Sequence, residues 1–325
     1  MGQRQLHPPE KAFWQFRTGG AVRSAPVLAD GLLYVASVNG TLHAIDALTG
    51  SEKWKFDAAG QIHSTPSISA GLVLVGSDDG KVYAVDRHSG KEIWHAASQA
   101  EVWSSPVVRN GVVFFGSADA KVYAVDATTG HEKWSQTLGG KIYSTIYAAE
   151  HQLYLGCGDG KVYSLDSASG KTLWSTPTEN GIDSSPALAG DLVLIGSEDF
   201  FVYALKATTG DLRWKYETGM GIASSPAVSG DLAVIGSKDG FLYAFETQTG
   251  RLRWKTEVGE VVTAPPVIGE GVVCIQAGGT FALDTANGKI VWRAGLGGGA
   301  MQSVPVLAAQ GIYLASLSGE VYALK

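Results

Sequence analysis

The residues best suited to chemistry in this chain share one variable position of a repeated segment. When the segments are aligned on Ser-x-Pro, the residue before the serine differs from copy to copy, whereas both of its neighbours hardly vary. The residues at this position are, in order, Arg23, His63, Trp103, Tyr143, Asp183, Ala223, Thr263 and Gln302. Cationic, aromatic and acidic groups in one place are typical of a ligand pocket or catalytic site.

Five consecutive copies supply the functional groups of this position. We hypothesise that Arg23 and His63 bind an anionic group and that Trp103 stacks on it. Tyr143 or Asp183 would then act as acid, base or hydrogen-bond partner. No catalytic residue is assigned, and the candidates are His63, Tyr143 and Asp183.

Further polar residues lie close to this position in the sequence. Gln61, Glu101 and Lys141 stand two positions earlier and predict a partial second ring, so that Glu101, Lys141 and Gln302 join the predicted ligand-binding residues. Phe200 and Phe201 replace a usual Gly-Lys pair and are expected to overhang the same opening. An alternative remains open, because channel positions are wet and can become polar without any function.

Tryptophan marks the repeat that positions these residues. Six intervals of 40 residues and one of 38 separate eight of the nine tryptophans, which are Trp14, Trp54, Trp94, Trp134, Trp174, Trp214, Trp254 and Trp292. Such a period indicates one supersecondary unit copied along the chain. The ninth, Trp103, belongs to the variable position instead.

Each unit predicts a four-stranded antiparallel sheet. In the second unit the strand candidates are residues 62–69, 72–76, 81–85 and 92–96, separated by Asp-Gly and Ser-Gly turns. Asp-Gly between alternating apolar strands is a strong hairpin signal. Small sheets that are apolar on both faces must stack on their neighbours, and radial stacking produces a β-propeller. The variable position should then form a ring at the mouth of the central channel.

The ends of the chain predict how the ring closes. Residues 11–16 read as an isolated fourth strand and residues 320–325 as a third strand, so the N-terminal strand completes the last blade. We therefore expect an all-β, eight-bladed propeller over residues 11–325, after an N-terminal extension of residues 1–10. The expected blades are at about 20–58, 60–98, 100–138, 140–178, 180–218, 220–258, 260–296 and 298–325 plus 11–18.

The tryptophans of the repeat are interpreted as structural. Ala44 and Gly50 precede Trp54 at fixed spacing and could give the indole flat neighbours. The unit Ala-x-Asp-x-x-Thr-Gly-x-x-x-Trp, preceded by Ser-x-Pro and Gly-Ser-x-Asp-Gly, resembles the PQQ-type propeller repeat over residues 11–325. Proteins with this repeat include quinoprotein dehydrogenases and the outer-membrane assembly lipoprotein of the β-barrel machinery, and the chain is more similar to the latter. Lys206 and Ile146 depart from the pattern at its Asp and Pro positions.

The dehydrogenase resemblance implies features that this chain lacks. Those enzymes have long insertions between blades, adjacent cysteines and a calcium site, whereas the units here are almost pure 40-residue repeats. We therefore expect no PQQ, no calcium and no other metal. The recurring turn aspartates, Asp79, Asp119, Asp159, Asp199 and Asp239, are interpreted as hairpin residues. Cys157 and Cys274 are about three units apart, which argues against a disulfide.

Composition narrows the classes of partner. The net charge is −6 and the basic residues are scattered, which argues against nucleic-acid binding. No apolar run is long enough to span a membrane, and residues 1–10 contain no signal peptide or lipobox. Relatives are mostly periplasmic or extracellular, but the sequence leaves the compartment open. A monomer is expected.

Two functional hypotheses remain. The first is a non-catalytic scaffold that binds a protein, peptide or ligand through the channel mouth and rim loops. The second is a small-molecule binder or cofactor-independent enzyme, of lyase or hydrolase type, that uses the arc from Arg23 to Asp183. Blades without insertions and the absence of catalytic motifs favour the scaffold. A PQQ-dependent oxidoreductase is favoured least.

Overall fold

The described part of the chain consists of strands and turns. The computed structural model describes residues 12–259, 261–269, 271–294, 303–308 and 311–324. Within these ranges, eight antiparallel sheets of four strands each are formed and no helix is present. The predicted extension of residues 1–10, Lys11 and Gln302 lie outside the described residues.

The strands follow one another in chain order within each blade. The first blade contains β2 (Val27–Ala29), β3 (Leu32–Ala36), β4 (Thr41–Asp46) and β5 (Glu52–Asp57). The second contains β6 (Ser67–Ser69), β7 (Leu72–Gly76), β8 (Lys81–Asp86) and β9 (Glu92–Ala97). The third contains β10 (Val107–Arg109), β11 (Val112–Gly116), β12 (Lys121–Asp126) and β13 (Glu132–Thr137). The fourth contains β14 (Tyr147–Ala148), β15 (Gln152–Cys157), β16 (Lys161–Asp166) and β17 (Thr172–Pro177).

The remaining blades repeat this order. The fifth contains β18 (Ala187–Ala189), β19 (Leu192–Gly196), β20 (Phe201–Lys206) and β21 (Leu212–Glu217). The sixth contains β22 (Ala227–Ser229), β23 (Leu232–Gly236), β24 (Phe241–Glu246) and β25 (Leu252–Glu257). The seventh contains β26 (Val267–Gly269), β27 (Val272–Gln276), β28 (Thr280–Asp284) and β29 (Ile290–Ala294). The eighth contains β30 (Val306–Ala308), β31 (Gly311–Ala315), β32 (Glu320–Leu324) and, from the start of the chain, β1 (Ala12–Arg17).

The predicted closure of the ring is confirmed. β1 pairs with β32 in the order β1-β32-β31-β30, with Arg17 opposite Glu320. Trp14 and Tyr313 of this eighth sheet pack into one core cluster with Leu33 of the first blade. The first and eighth blades are therefore neighbours, and the eight sheets form a closed ring.

The innermost strands are shorter than predicted, and the reason is the Ser-x-Pro motif. In the second blade residues 62–69 were expected to form a strand, but only β6, Ser67–Ser69, does so. The Ser64 hydroxyl donates to the Gly76 carbonyl at 3.0 Å and accepts from the Gly76 amide at 2.7 Å, thereby replacing ladder bonds. Pro66 has no amide proton to continue the ladder. The variable position thus lies on an irregular segment that leads into the strand.

The repeated tryptophans join neighbouring blades. Trp54 pairs across the strands with Ala44, and its indole nitrogen donates to the Arg87 carbonyl of the next blade at 2.9 Å. A Cβ on Gly90 would lie 2.8 Å from the indole, so this glycine forms its flat neighbour. The sequence-based pairing with Gly50 of the same unit is wrong, because Gly50 packs against Trp14 of the preceding blade. The structural role of the tryptophans is confirmed.

Candidate functional site

Hairpin turns and inter-blade segments meet at one face of the ring. The Asp78 amide, in the turn between β7 and β8, donates to the Gln61 carbonyl at 2.8 Å. The same bond joins Ala118 to Glu101 at 2.9 Å and recurs in other blades. Side chains of the variable position and side chains of these turns therefore share one channel mouth.

The repeat orients the variable side chains into the channel. Val102 and Ser104 are completely buried, whereas Trp103 between them is 40% exposed. Because side chains alternate along extended backbone, burying both neighbours leaves the middle residue to face the opening. The same pattern holds for Arg23, His63, Tyr143, Asp183, Ala223 and Thr263, whose flanking residues are all buried.

Three aromatic rings form a continuous stack along one side of the mouth. The His63 and Trp103 ring centroids are 4.8 Å apart, and those of Trp103 and Tyr143 are 4.6 Å apart with an interplanar angle of 26°. His63 and Tyr143 come from the blades on either side of Trp103, and 40% of the Trp103 side chain stays exposed between them. The stacking of a ligand on Trp103 stays a prediction, and any such ligand would share the indole with these two rings.

Asp78 anchors this stack and was missed as a site residue. Its Oδ1 accepts a hydrogen bond of 2.8 Å from the Trp103 indole nitrogen, and its Oδ2 lies 3.5 Å from His63 Nε2. The sequence does contain a signal for Asp78, because the turn position that it occupies differs between blades as freely as the variable position does. Its residues are Val38, Asp78, Ala118, Gly158, Glu198 and Lys238.

Burial sets the protonation of His63. Desolvation lowers the pKa of the imidazole, the Asp78 carboxylate raises it in part, and the Arg23 guanidinium lowers it. His63 Nε2 also lies 3.2 Å from Gln61 Oε1. The ring is consequently held between Trp103 on one face and two oxygen partners at its edge.

The other side of the mouth is charged instead of aromatic. Lys238 Nζ lies 2.6 Å from Glu198 Oε1, and both residues occupy the turn position that Asp78 fills in the second blade. Water reaches Asp183, but the surrounding blades displace part of its hydration and raise the pKa of its carboxyl. Glu198 raises this pKa further, and Lys238 offsets part of the effect.

Arg23, Glu101 and Lys141 complete the charged groups of the mouth. The nearby Tyr143 hydroxyl raises the pKa of Lys141, and Glu101 adds to this rise. The Lys141 ammonium lies 5.8 Å from the centre of the Tyr143 ring. Arg23 is exposed and forms no ion pair with any residue that the structure describes. The eighth member of the ring, Gln302, lies outside the described residues.

A ring of hydroxyl groups lies directly below the variable position. The middle residue of Ser-x-Pro accepts an amide hydrogen bond from the same position of the preceding blade at 2.8 to 3.4 Å. We call the accepting residues the hydroxyl girdle, and they are Thr65, Ser105, Thr145, Ser185 and Ser225. A hydroxyl that accepts in this way still has its own proton to donate, and none of the five donates a hydrogen bond within the described part of the chain.

An exposed apolar pair stands on the rim of the same face. Phe200 is 45% exposed and has φ of 80°, at a position where most other blades have glycine. Thr218 donates its hydroxyl to the carbonyls of both Phe200 and Met220, and Met220 is 48% exposed. The Phe201 ring packs against Tyr203 and lies 4.2 Å from the Lys215 ammonium, so it is less exposed than Phe200, and its position over the opening stays a prediction.

The remaining chemical candidates have structural roles. Asp159 accepts from the Lys161 amide at 3.2 Å and from the Tyr163 hydroxyl at 2.7 Å, which agrees with the predicted turn function. Cys157 and Cys274 are free and buried. Within the described ranges, no three His, Cys, Asp or Glu side chains are grouped so that they could hold a metal ion. No helix in that part of the chain could span a membrane.

The fold and repeat are matched by known proteins. A family model described as "Outer membrane protein assembly factor BamB" matches residues 6–100, 41–146, 78–223 and 138–325. No curated protein matches the sequence at a significant level. The predicted resemblance to the repeat of the assembly lipoprotein is thereby confirmed.

Solved structures share the architecture at low sequence identity. BamB from Moraxella catarrhalis is 19% identical with a TM-score of 0.82, and the match covers 96% of this chain and 98% of that one. The computationally designed Ika8 protein is 17% identical with a TM-score of 0.85, covering 95% and 98%. Quinohemoprotein alcohol dehydrogenase from Comamonas testosteroni is 16% identical with a TM-score of 0.79, covering 96% and 76%. At such identities the likeness establishes the fold alone.

Proposed function

The chain belongs to the family of the outer membrane protein assembly factor BamB, and on this premise we propose that it is a non-catalytic binding scaffold. Its partner would be a protein or peptide that docks on the channel mouth and the adjoining rim. The compartment in which it acts stays open.

The observation that supports this proposal most is the aromatic stack of the mouth. His63, Trp103 and Tyr143 come from three different blades, yet their rings are in contact and Asp78 holds the indole by a hydrogen bond. The fold does not need these residues, because blade contacts are already made by the tryptophans of the repeat. A preorganised aromatic and charged surface is what protein recognition uses.

The rim adds an apolar anchor to this surface. A bulky residue in the left-handed region costs about 1–2 kcal/mol, and Phe200 adopts it while almost half exposed. The side chain therefore gains little from packing within its own blade. Phe200 and Met220 together offer the kind of exposed apolar group that partners bury.

The geometry gives less support to an enzyme. The His63 imidazole is already in contact with Asp78 and Gln61, and the Tyr143 ring is stacked on Trp103 beside Lys141. Asp183 lies three blades from His63, although only one blade from Tyr143. An acid and a base that serve one substrate must both be within hydrogen-bond reach of it. The raised pKa of Asp183 is the one observation that favours the second hypothesis, a lyase- or hydrolase-type site. No group of carboxylate ligands is available among the described residues for a calcium-bound quinone, and the proposal includes no cofactor.

Site-specific photo-crosslinking tests the scaffold. A photoreactive phenylalanine analogue would replace Phe200 in protein produced in its native cells. The matched control is Leu48, which is 61% exposed. It lies in the turn between β4 and β5, at the end of the first blade opposite to the turns of the channel mouth. We expect a discrete, light-dependent protein adduct at position 200 and none at position 48. No adduct at position 200, or equal labelling at both positions, would contradict the proposal.

A further inference from the structure

Most charges of the channel mouth are already offset by neighbours. Glu198 and Lys238 form an ion pair at 2.6 Å. Asp78 accepts the Trp103 N–H and faces His63, while Lys141 lies beside the Tyr143 ring and in the field of Glu101. These groups need no ligand to satisfy them.

Arg23, Glu101 and Asp183 are different, because their side chains have no hydrogen bond or ion pair in the part of the chain that the structure describes. Glu101 still lies in the field of the Lys141 ammonium, which leaves Arg23 and Asp183. Asp183 is also partly desolvated, and the nearby Glu198 makes its negative charge less favourable, which raises its pKa. A cation placed beside Asp183 would relieve the desolvation and repulsion of its carboxylate, and the exposed Arg23 guanidinium is available to pair with an anion.

The two residues lie on opposite sides of the ring. Arg23 precedes the first strand of the first blade and Asp183 that of the fifth, and four blade steps are half of an eight-bladed circle. A free amino acid bears its ammonium and carboxylate on a single carbon and cannot reach both. We propose that the mouth binds an extended peptide segment that spans it, with an anionic group at Arg23 and a cationic group at Asp183.

The wall and floor between the two residues fit a peptide backbone. The His63 and Tyr143 rings lie against Trp103, which leaves less of the indole for a sugar or a nucleobase to stack on. The hydroxyl girdle lies just below and supplies donors for peptide carbonyl groups. This inference rests on the proposed scaffold function and specifies the chemistry of its partner.

Calorimetric titration with defined peptides tests the inference. The probes are acetylated, amidated peptides in which one Glu and one Lys are separated by two to ten Gly-Ser residues. The control peptides replace Glu, Lys or both by Gln. Since an exposed ion pair contributes up to about 1 kcal/mol, each matched charge should improve the Kd about fivefold, and both together about twenty-five-fold. The gain should peak at one separation.

The variants Arg23→Gln and Asp183→Asn, which each remove one charge, identify which residue contacts which end of the peptide. Arg23→Gln should abolish the preference for Glu over Gln and leave the preference for Lys, and Asp183→Asn should do the opposite. Neither side chain has a hydrogen bond or an ion pair to another described residue, and both variants remove a charge that its surroundings disfavour, so their Tm should equal or exceed that of the wild type. Three results would each overturn the inference. They are equal affinity for charged and neutral probes, no measurable binding of any probe, and variants that leave both charge preferences intact.

The two experiments together distinguish a free peptide from a loop of a folded protein. They also distinguish failure of the peptide inference from failure of the scaffold proposal. A free peptide and a loop of a folded protein share this chemistry, and only the loop also produces the adduct at position 200. If the adduct forms while the probes show no charge preference, the peptide inference is wrong and the scaffold stands. If neither the adduct at position 200 nor a charge preference of the probes is seen, the scaffold proposal is also wrong.

Discussion

The Trp103 indole nitrogen in the third blade donates a hydrogen bond of 2.8 Å to the Asp78 carboxylate of the second blade. The bond joins two positions that both vary between repeats. Random drift of channel residues towards polar types does not by itself produce a paired donor and acceptor across blades. This hydrogen bond therefore favours residues selected for a function at the channel mouth over residues that became polar by drift. It also makes the role of Trp103 testable.

Replacement of Trp103 should affect stability much less than replacement of a docking tryptophan. Trp103 is 40% exposed and contributes mainly two ring contacts, so Trp103→Ala should lower the free energy of unfolding by about 1–2 kcal/mol. Trp54 is 9% exposed between two blades, and Trp54→Ala should cost about 3–5 kcal/mol. Urea denaturation of both variants measures the difference. Equal losses would show that Trp103 is a packing residue.

Protonation of His63 should destabilise the folded protein. Its folded pKa lies below the ordinary value of 6.5, so between these two pH values the unfolded chain binds more protons. The free energy of unfolding should consequently rise with pH across this window and reach its full value above about 6.5. His63→Gln should flatten this part of the profile when Tm is followed from pH 5 to 8.

Two neighbouring variants check the cause of the shift. Asp78→Asn removes a group that raises the His63 pKa and should lower it further, whereas Arg23→Gln removes a repelling charge and should raise it. A titration of the imidazole by NMR distinguishes the two directions. Shifts of the same sign in both variants would contradict this account of the mouth.

The architecture could be predicted because it depends on spacing. The 40-residue period, the Asp-Gly turns and the unpaired strands at the two ends lead directly to eight closed blades. The ring position was likewise visible, since it varies between buried neighbours. Each of these features is local in the sequence or repeats at a constant interval.

Partnerships between blades could not be predicted in the same way. Trp54 packs against Gly90 of the next blade, although Gly50 stands closer in the sequence. Asp78 is not among the residues that the sequence predicts for the site, because nothing local shows that its side chain reaches Trp103. Such pairings depend on how neighbouring sheets are rotated against each other, and spacing within one unit contains no information on that angle.

The two cysteines should be inert in the folded protein. Burial raises the pKa of Cys157 to about 12 and that of Cys274 to about 11, so almost no thiolate forms at pH 8. We expect neither to react with a disulfide reagent until urea unfolds the chain. Cys157 Sγ donates to the Gly140 carbonyl where Ser117 Oγ donates to that of Ala100. Cys157→Ser should therefore change the free energy of unfolding by less than about 0.5 kcal/mol. Rapid labelling of the native protein would contradict this assignment.

A pair of glycine substitutions can isolate the contribution of blade docking. Gly90 and Gly71 have similar backbone conformations, with φ of 71° and 84°, so an alanine side chain strains the backbone at both. At Gly90 the new Cβ would also lie 2.8 Å from the Trp54 indole, whereas at Gly71 it meets nothing within 4 Å. Gly90→Ala should therefore cost about 1–3 kcal/mol more than Gly71→Ala in urea denaturation, because the added methyl group overpacks the blade contact. The combination of Gly90→Ala with Trp54→Ala should remove most of this excess, since the clash needs the indole. An excess that persists in the double variant would mean that Gly90 is required for a reason other than the indole of the neighbouring blade.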